Sequence, residues 1–186
     1  MIRILDTLFS LLGLIFGIPV FVVVISLSLL DYGSPFFKQK RVGRNQQLFT
    51  LVKFRTMAIG TQSVGTHLVD PVSITKLGHF LRKSKLDELP QLFNVLLGQM
   101  SLVGPRPCLP NQTELIRERS KRGVFEVCPG ITGVAQINDI DMSTPRKLAR
   151  YDQIMVRRMS LTVYFKMIIA TAVGKGRGDR VRIALA

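Results

Sequence analysis

The hydrophobic pattern divides the chain into one long apolar segment and a series of shorter amphipathic ones. Residues 7–30 contain no charged side chain, and this stretch exceeds the ~20 residues that a helix needs to cross the hydrocarbon core. It lacks the basic leader and the small-residue cleavage site of a secretory signal. The pattern predicts a membrane helix that either spans the bilayer or returns to the same face at Pro19, which removes a helical hydrogen bond near the middle.

Beyond that segment, the pattern predicts an α+β domain that is mainly helical. Residues 48–55 alternate in the way that is typical of a short strand or an extended segment, whereas a period near 3.6 predicts helices at residues 73–83, 91–97, 110–122, 145–158 and 160–173. We expect the charged helix at 110–122 to be exposed. The apolar side of the helix at 73–83 suits either a membrane interface or the protein core. In the helix at 91–97, the side chains expected to face inward are Leu92, Phe93, Leu96 and Leu97.

Two segments carry no such period. Residues 58–71 are rich in Gly, Ser and Thr and are predicted to form a loop long enough to cover a ligand. Residues 174–186 alternate Gly with basic side chains, which favours a mobile tail near anionic headgroups. Both segments are therefore expected to lie outside the core.

The charge balance narrows the choice of partners. The chain has 26 Lys plus Arg against 12 Asp plus Glu, a formal net charge of +14, so its partners should be anionic: nucleic acid, or an anionic membrane with phosphorylated ligands. No nucleic-acid motif is present, and 47% of the residues are hydrophobic. We therefore expect a membrane and not nucleic acid. Cys108 and Cys128 form no disulfide framework, and with His67 and His79 they make no zinc-ligand spacing.

The candidate chemistry is concentrated in residues 84–107. Asp87 and Glu88 stand side by side among basic residues, just ahead of a predicted helix whose first N–H groups favour negative charge. Taken alone, such a pair is more often explained by helix capping. The fixed φ angles of Pro105 and Pro107 restrict the backbone of Arg106, which suits a guanidinium that must meet a phosphate at fixed geometry.

Two other places could contact an anion. Lys53 and Arg55 lie two residues apart on the predicted strand, where they could reach a ligand or form a solvated basic face. Residues 129–137 contain two glycines and a threonine, a composition that lets backbone N–H groups approach a phosphate. Each of these signals is weak when taken alone.

Taken together, these motifs resemble a known family. The stretch DELPQLFNVLLGQMSLVGPRP (residues 87–107) resembles the core signature of the bacterial sugar transferases, which are monotopic phosphoglycosyl transferases that begin glycoconjugate assembly on polyprenyl phosphate. FKQKRVG (37–43), KFRTM (53–57) and PGITGVAQ (129–136) agree with further blocks of that family in the same order. The resemblance extends from the apolar N-terminus to about residue 171.

The resemblance implies an architecture and a location. Residues 1–34 would form a re-entrant membrane helix broken at Pro19 with both ends cytoplasmic, residues 35–173 a small catalytic core with interfacial amphipathic helices, and residues 174–186 the basic tail. The protein would be monotopic, on the cytoplasmic face of the bacterial inner membrane and in contact with its lipids.

The resemblance also implies a reaction. Asp87 would attack the β-phosphate of a UDP-sugar, release UMP and pass the sugar phosphate to undecaprenyl phosphate, the first membrane step of O-antigen, capsule, exopolysaccharide or glycoprotein glycan synthesis. Glu88 would act as a metal ligand or as a proton acceptor, and both carboxylates would hold Mg²⁺. The implied substrate contacts come from Arg82, Arg106, Lys53, Arg55, Pro105 and Gln136.

Some positions depart from the family pattern and leave the sugar open. Lys85 replaces a small polar residue, Asp139 stands where glycine is common, and Tyr164 stands where an acid is frequent. The family favours an N-acetylated or deoxy amino sugar on the donor. Two alternatives remain: a non-catalytic basic membrane module, for which Asp87 would be dispensable, and a transferase that acts as a subunit of a larger complex.

Overall fold

The apolar N-terminal segment forms a single long helix. The computed structural model describes residues 1–61, 73–138, 140 and 142–173, and its first element is α1, Ile2–Tyr32, which contains an exposed Pro19. Gly33 ends the helix in the left-handed conformation, with φ 71°. Within the described residues, α1 is the one helix long and apolar enough to cross a membrane.

Both halves of α1 pack on the rest of the protein. Near its start, the Arg3 guanidinium donates to the carbonyls of Val95 and Leu96. In its second half, the Phe21 ring lies 5.1 Å from that of Phe54. The side of α1 turned away from these contacts is exposed and apolar, a surface typical of a protein that lies against a membrane: Ile4, Leu8, Leu11, Leu12, Ile15, Phe16, Ile18, Val22, Val23, Leu27, Leu29 and Leu30.

A two-stranded hairpin follows α1. Strand β1, Phe36–Val42, pairs antiparallel with β2, Leu48–Phe54, through a short 3₁₀ turn at Arg44–Gln46. The strand predicted at residues 48–55 is therefore confirmed for residues 48–54. Phe49 and Leu51 alternate inward from β2 and become part of the core.

A second, parallel pair of short strands lies deeper in the chain: β3, Ser101–Val103, and β4, Gly130–Thr132. The main chains approach so closely that a Cβ added to Gly130 would lie 2.0 Å from the backbone nitrogen of Gly104. No other residue fits at that distance. A glycine of the 129–137 segment is thus required by the packing of two main chains, whatever ligand the segment binds.

Six further α-helices lie in the part of the chain that the structure describes. Thr75 caps the first of them by accepting a hydrogen bond from Gly78 N at 2.9 Å, and Ser160 caps the last in the same way. The fold is α+β and mainly helical, as predicted. The helices are α2, Lys76–Ser84; α3, Gln91–Leu96; α4, Thr113–Ser120; α5, Val134–Ile137; α6, Pro145–Arg157; and α7, Leu161–Ala172.

The apolar side of α2 is divided between the core and the surface. Leu81 is fully buried and packs with Phe54 and Val24 of α1, and Leu77 packs against the same cluster. Phe80 is exposed. The helix therefore combines the two alternatives: its leucines pack in the protein core, whereas Phe80 lies on the surface.

The orientation predicted for α3 is correct for Leu92, which is buried, and wrong for two other side chains. Phe93 and Leu97, which were expected to face inward, are 49% and 72% exposed. Instead Asn94 is buried: its side-chain nitrogen donates to Thr50 O at 2.8 Å, and its oxygen accepts from Val52 N at 3.2 Å. Periodicity could not reveal this, because Asn94 is inward for its hydrogen bonds to the edge of β2.

The expectation that the helix at 110–122 is exposed is also wrong in part. Leu115, Glu118 and Arg119 of α4 are buried, because this helix packs against α6. Two other predictions, the loop at 58–71 for the most part and the tail at 174–186, lie outside the described residues, as does Asp139.

Candidate active site

Asp87 and Glu88 lie on a short 3₁₀ turn, Leu86–Glu88, between α2 and α3. The chain can turn there because Lys85, which ends α2, adopts the left-handed conformation with φ 60°. A residue other than glycine in that region stores backbone strain, which is frequent next to functional residues. Pro90 then caps α3. The turn carries Asp87 into the protein, where its side chain is buried.

Two cations from different parts of the chain meet Glu88. Its Oε1 atom lies 3.5 Å from Lys53 Nζ of β2 and 3.3 Å from Arg106 Nη2, which follows β3. All three side chains are mostly buried, so these contacts are less screened than a surface ion pair. The structure therefore brings three sequence-predicted residues together beside the buried Asp87.

Two other basic residues predicted at the site also donate hydrogen bonds to the chain on either side of the hairpin. Arg82 Nε donates to Thr56 Oγ1 at 2.9 Å, which fixes the last turn of α2 to the segment that follows β2. Arg55 donates to Ser34 O at 3.0 Å and to Phe36 O at 3.1 Å. These hydrogen bonds of Arg55 hold the connection between α1 and β1.

Pro105 and Gln136, two further residues predicted to contact substrate, lie near the parallel strands. The carbonyl of Pro105 accepts a hydrogen bond from Gly130 N at 2.9 Å, at the start of β4. Both amide atoms of Gln136 on α5 are buried without a hydrogen-bond partner in the described structure. An unpaired buried amide is costly, by about 1–3 kcal/mol. This supports the prediction that Gln136 meets a polar ligand.

A buried ion pair that was not predicted from the sequence contacts the main chain of Arg106. Arg119 of α4 contacts Asp152 Oδ2 of α6 through Nε at 2.9 Å and Nη2 at 2.7 Å, and its Nη1 donates to Arg106 O at 2.8 Å. Their side chains are 2% and 1% exposed. One signal was available: Asp152 lies on the same side of its helix as the apolar Leu148 and Met155, where an acid needs a partner.

Similarity to known proteins shows the family of this chain. Residues 1–176 match the sequence model described as "Bacterial sugar transferase". The chain belongs to this family. It is therefore a transferase, as predicted, and the non-catalytic alternative is not favoured.

Relatives of this transferase differ in length. It is 43% identical to the "Uncharacterized sugar transferase EpsL" of Bacillus subtilis, over 90% of this chain and 85% of that protein. It is 38% identical to the "UDP-glucose:undecaprenyl-phosphate glucose-1-phosphate transferase" of Xanthomonas campestris, over 81% of this chain and 33% of that protein. It is also 36% identical to the "Undecaprenyl-phosphate galactose phosphotransferase" of Salmonella typhimurium, over 76% of this chain and 34% of that protein.

The two carboxylates of the candidate site suit metal binding in which the substrate supplies further ligands. Within the described part of the transferase, no group of three or more His, Cys, Asp or Glu side chains could hold an ion. Mg²⁺, however, is commonly held by one or two carboxylates together with substrate phosphates. Asp87 and Glu88 are adjacent on one turn, so they fit that mode of binding and would be its ligands.

Neither cysteine of the transferase is part of a disulfide. Burial raises the pKa of the Cys108 thiol, and the nearby Arg119 and Arg41 offset only part of that effect. The thiol therefore stays protonated near neutral pH. Cys108 is a small residue of the hydrophobic core.

Proposed function

We propose that this transferase moves a sugar-1-phosphate from a UDP-sugar to undecaprenyl phosphate at the cytoplasmic face of the bacterial inner membrane. The products are undecaprenyl-diphospho-sugar and UMP. The observation that carries the proposal is the buried Asp87 next to Glu88, on which Lys53 and Arg106 converge. The names of the Xanthomonas and Salmonella relatives support the donor and the acceptor.

The first step is a displacement at phosphorus. A carboxylate can act as a covalent nucleophile, so an Asp87 oxygen attacks the β-phosphorus of the donor. The bond from that phosphorus to the bridging oxygen breaks, and UMP leaves with the electron pair. The sugar phosphate is then bound to Asp87 as a mixed anhydride.

The second step regenerates the enzyme. A phosphate oxygen of undecaprenyl phosphate attacks the same phosphorus, and the bond to Asp87 breaks. The carboxylate recovers its electron pair, and the sugar phosphate is now joined to the lipid through a diphosphate. The net reaction needs neither water nor an oxidant.

The charges around Asp87 suit this chemistry. Arg106 and Lys53 would stabilise phosphate oxygens as negative charge moves to the leaving group, because charge-assisted hydrogen bonds are roughly twice as strong as neutral ones. Mg²⁺, when bound to the two carboxylates, would supply neutralising charge to the diphosphate. Glu88 orients both cations through Oε1.

The apolar surface would bring the site to the lipid phosphate. Apart from α1, exposed apolar side chains extend from several helices of the described structure, and we propose that they rest in the membrane interface. A re-entrant α1 would then keep the whole transferase on one side. These side chains are Phe80 of α2, Phe93 of α3, Leu97, and Phe165 and Ile169 of α7.

The decisive experiment compares wild type with Asp87→Asn. UMP release is measured from a panel of UDP-sugars that begins with UDP-glucose and UDP-galactose and includes UDP-linked N-acetylated amino sugars. Each reaction also contains undecaprenyl phosphate and Mg²⁺. Because Asp87 carries the covalent step, we expect its replacement to reduce turnover by about 10³-fold or more. A donor labelled at the β-phosphorus should leave its label on wild-type protein in the absence of acceptor.

The control is Asp31→Asn, which makes the same change at an exposed acid and should keep wild-type activity. Product formation with no labelled protein, together with turnover by Asp87→Asn within about tenfold of wild type, would show direct transfer instead of a covalent intermediate. Absence of UMP release from every donor by folded wild type would overturn the proposed reaction.

A further inference from the structure

The loop that presents Arg106 to Glu88 is held by its main chain. We call residues 105–107 the Pro-Arg-Pro loop. Its first carbonyl accepts from Gly130 N at 2.9 Å, its second from Arg119 Nη1 at 2.8 Å, and its third from Arg41 Nη1 at 3.0 Å. Each of the three consecutive carbonyls therefore has a donor, and each donor comes from a different part of the chain.

This loop needs external donors more than most loops do. Two of its three residues are prolines, which lack the N–H that would hold a turn through its own hydrogen bonds. The carbonyls are then the groups through which the protein can fix the backbone. Among them, the carbonyl of Arg106 belongs to the residue whose guanidinium contacts Glu88, so its donor has the most direct effect on the site.

That donor is itself oriented by a buried carboxylate. Arg119 uses Nε and Nη2 on Asp152 Oδ2 and keeps Nη1 for the loop. The planar guanidinium makes both contacts at once, which a lysine ammonium cannot do with the same geometry. A buried ion pair contributes little to stability when compared with apolar residues of similar volume. Its placement therefore calls for another explanation.

We propose that Arg119 and Asp152 are positioning residues for sugar-phosphate transfer, which hold the main chain of Arg106 so that its guanidinium meets both Glu88 and the donor phosphate. Asp152 fixes the plane of the Arg119 guanidinium, and Arg119 holds the loop through the carbonyl of Arg106. The loop in turn positions the Arg106 guanidinium. This inference rests on the proposed function, because it assigns the geometry of the same site.

The test is a double-mutant cycle between Arg119→Lys and Arg106→Ala, measured by UMP release with radiolabelled donor so that slow variants are quantified. Since a small misplacement of a catalytic group can cost about 100-fold, Arg119→Lys alone should lower kcat by about 10- to 100-fold. It should change KM for the donor by about threefold or less. In the Arg106→Ala background it should have no further effect, because Arg119 acts through Arg106.

The matched control is Arg122→Lys, which makes the same change beside the same helix. Arg122 pairs with Glu118 at 2.6 Å, and its replacement should leave kcat unchanged. Where Arg119→Lys fails to fold, as judged from Tm, Asp152→Asn replaces it in the cycle. Equal losses in kcat with and without Arg106 would overturn the proposal, since they would indicate a general structural role.

Failure of this proposal differs from failure of the proposed function. The cycle uses UMP release, which any route of sugar-phosphate transfer from a UDP-sugar produces. The covalent intermediate is tested separately by the label on Asp87. An additive cycle with normal labelling would reject the positioning role alone, whereas a coupled cycle without labelling would reject only the covalent route.

Discussion

At the scale of single residues, the site depends on which cation meets which oxygen. Glu88 Oε1 is shared by Lys53 and Arg106, which arrive from different elements. Arg55 lies two residues after Lys53, yet it donates to Ser34 and Phe36. Two basic residues that look equivalent in the sequence thus make contacts of different kinds.

These contacts predict different effects for the same substitution. Lys53→Met removes a cation from Glu88 and should lower kcat/KM by about 10- to 100-fold, because a hydrogen bond to a charged group contributes about 1.5–3 kcal/mol. Arg55→Met should instead lower Tm by several degrees, since it frees two backbone carbonyls near α1. Steady-state kinetics and thermal unfolding of both variants check this prediction. A large kinetic loss in Arg55→Met at unchanged Tm would support substrate contact by Arg55.

At the scale of elements, a single carboxylate joins α1 to the catalytic core. Asp6 is buried in α1, and its Oδ1 accepts from Ser101 Oγ at 3.0 Å, from Leu102 N at 3.0 Å and from the Tyr164 hydroxyl at 2.9 Å. The atom thus links three elements, α1, β3 and α7. Burial and this carboxylate both raise the pKa of Tyr164, so its hydroxyl remains a donor.

Removing that carboxylate should loosen the membrane helix. Asp6→Ala would leave three donors without their acceptor, at about 1–3 kcal/mol for each one that stays buried. We expect a lower Tm in detergent and faster proteolysis around residue 33. Tyr164→Phe removes one donor only and should have a smaller effect. Asp31→Ala, the same change at an exposed acid of α1, should match wild type, and an equal loss in this control would contradict the role of Asp6.

Elements were predictable where local patterns decide them. The alternation at residues 48–55 and the helical periods at residues 73–83 and 160–173 depend on near neighbours, and the structure has the corresponding strand and helices. Burial of Asn94 and Asp6 was not predictable, because each polar side chain is inward only by virtue of partners far along the chain. A helical period ranks apolar residues as buried and cannot anticipate such pairs.

Residues of the candidate site were likewise predictable only where the sequence signal is local. Asp87, Glu88 and Arg106 could be found because unusual residue types are concentrated in one short stretch. Arg119 could not, because its neighbours are also basic and only Asp152, 33 residues away, distinguishes it from them. The residues proposed to contact substrate can thus be recognised from their neighbours in the sequence. The residues proposed to position them can be recognised only from contacts that the fold creates.

At the scale of the whole molecule, both halves of α1 are held to the rest of the protein. Arg3 and Asp6 anchor its start to the segment around α3 and β3, while Phe21 and Val24 pack with Phe54 of β2. Straight, a helix of this length would extend roughly 46 Å, more than the ~30 Å of the hydrocarbon core. A spanning helix would have to release one set of these contacts, which favours a helix that enters and leaves the membrane on the same side.

Cysteine labelling in sealed membrane vesicles tests this topology. Ile2→Cys and the exposed Lys38→Cys should react with an impermeant reagent from the same side, because the contacts of Arg3 and Asp6 keep residue 2 with the domain. Pro19→Leu restores a helical hydrogen bond and should transfer part of the residue 2 label to the opposite side, whereas Ile18→Leu, a conservative change next to it, should not. In protein that retains Pro19, labelling of residue 2 from the opposite side would contradict the same-side arrangement. An unchanged labelling pattern in Pro19→Leu would show that the contacts of α1, and not the proline, determine the topology.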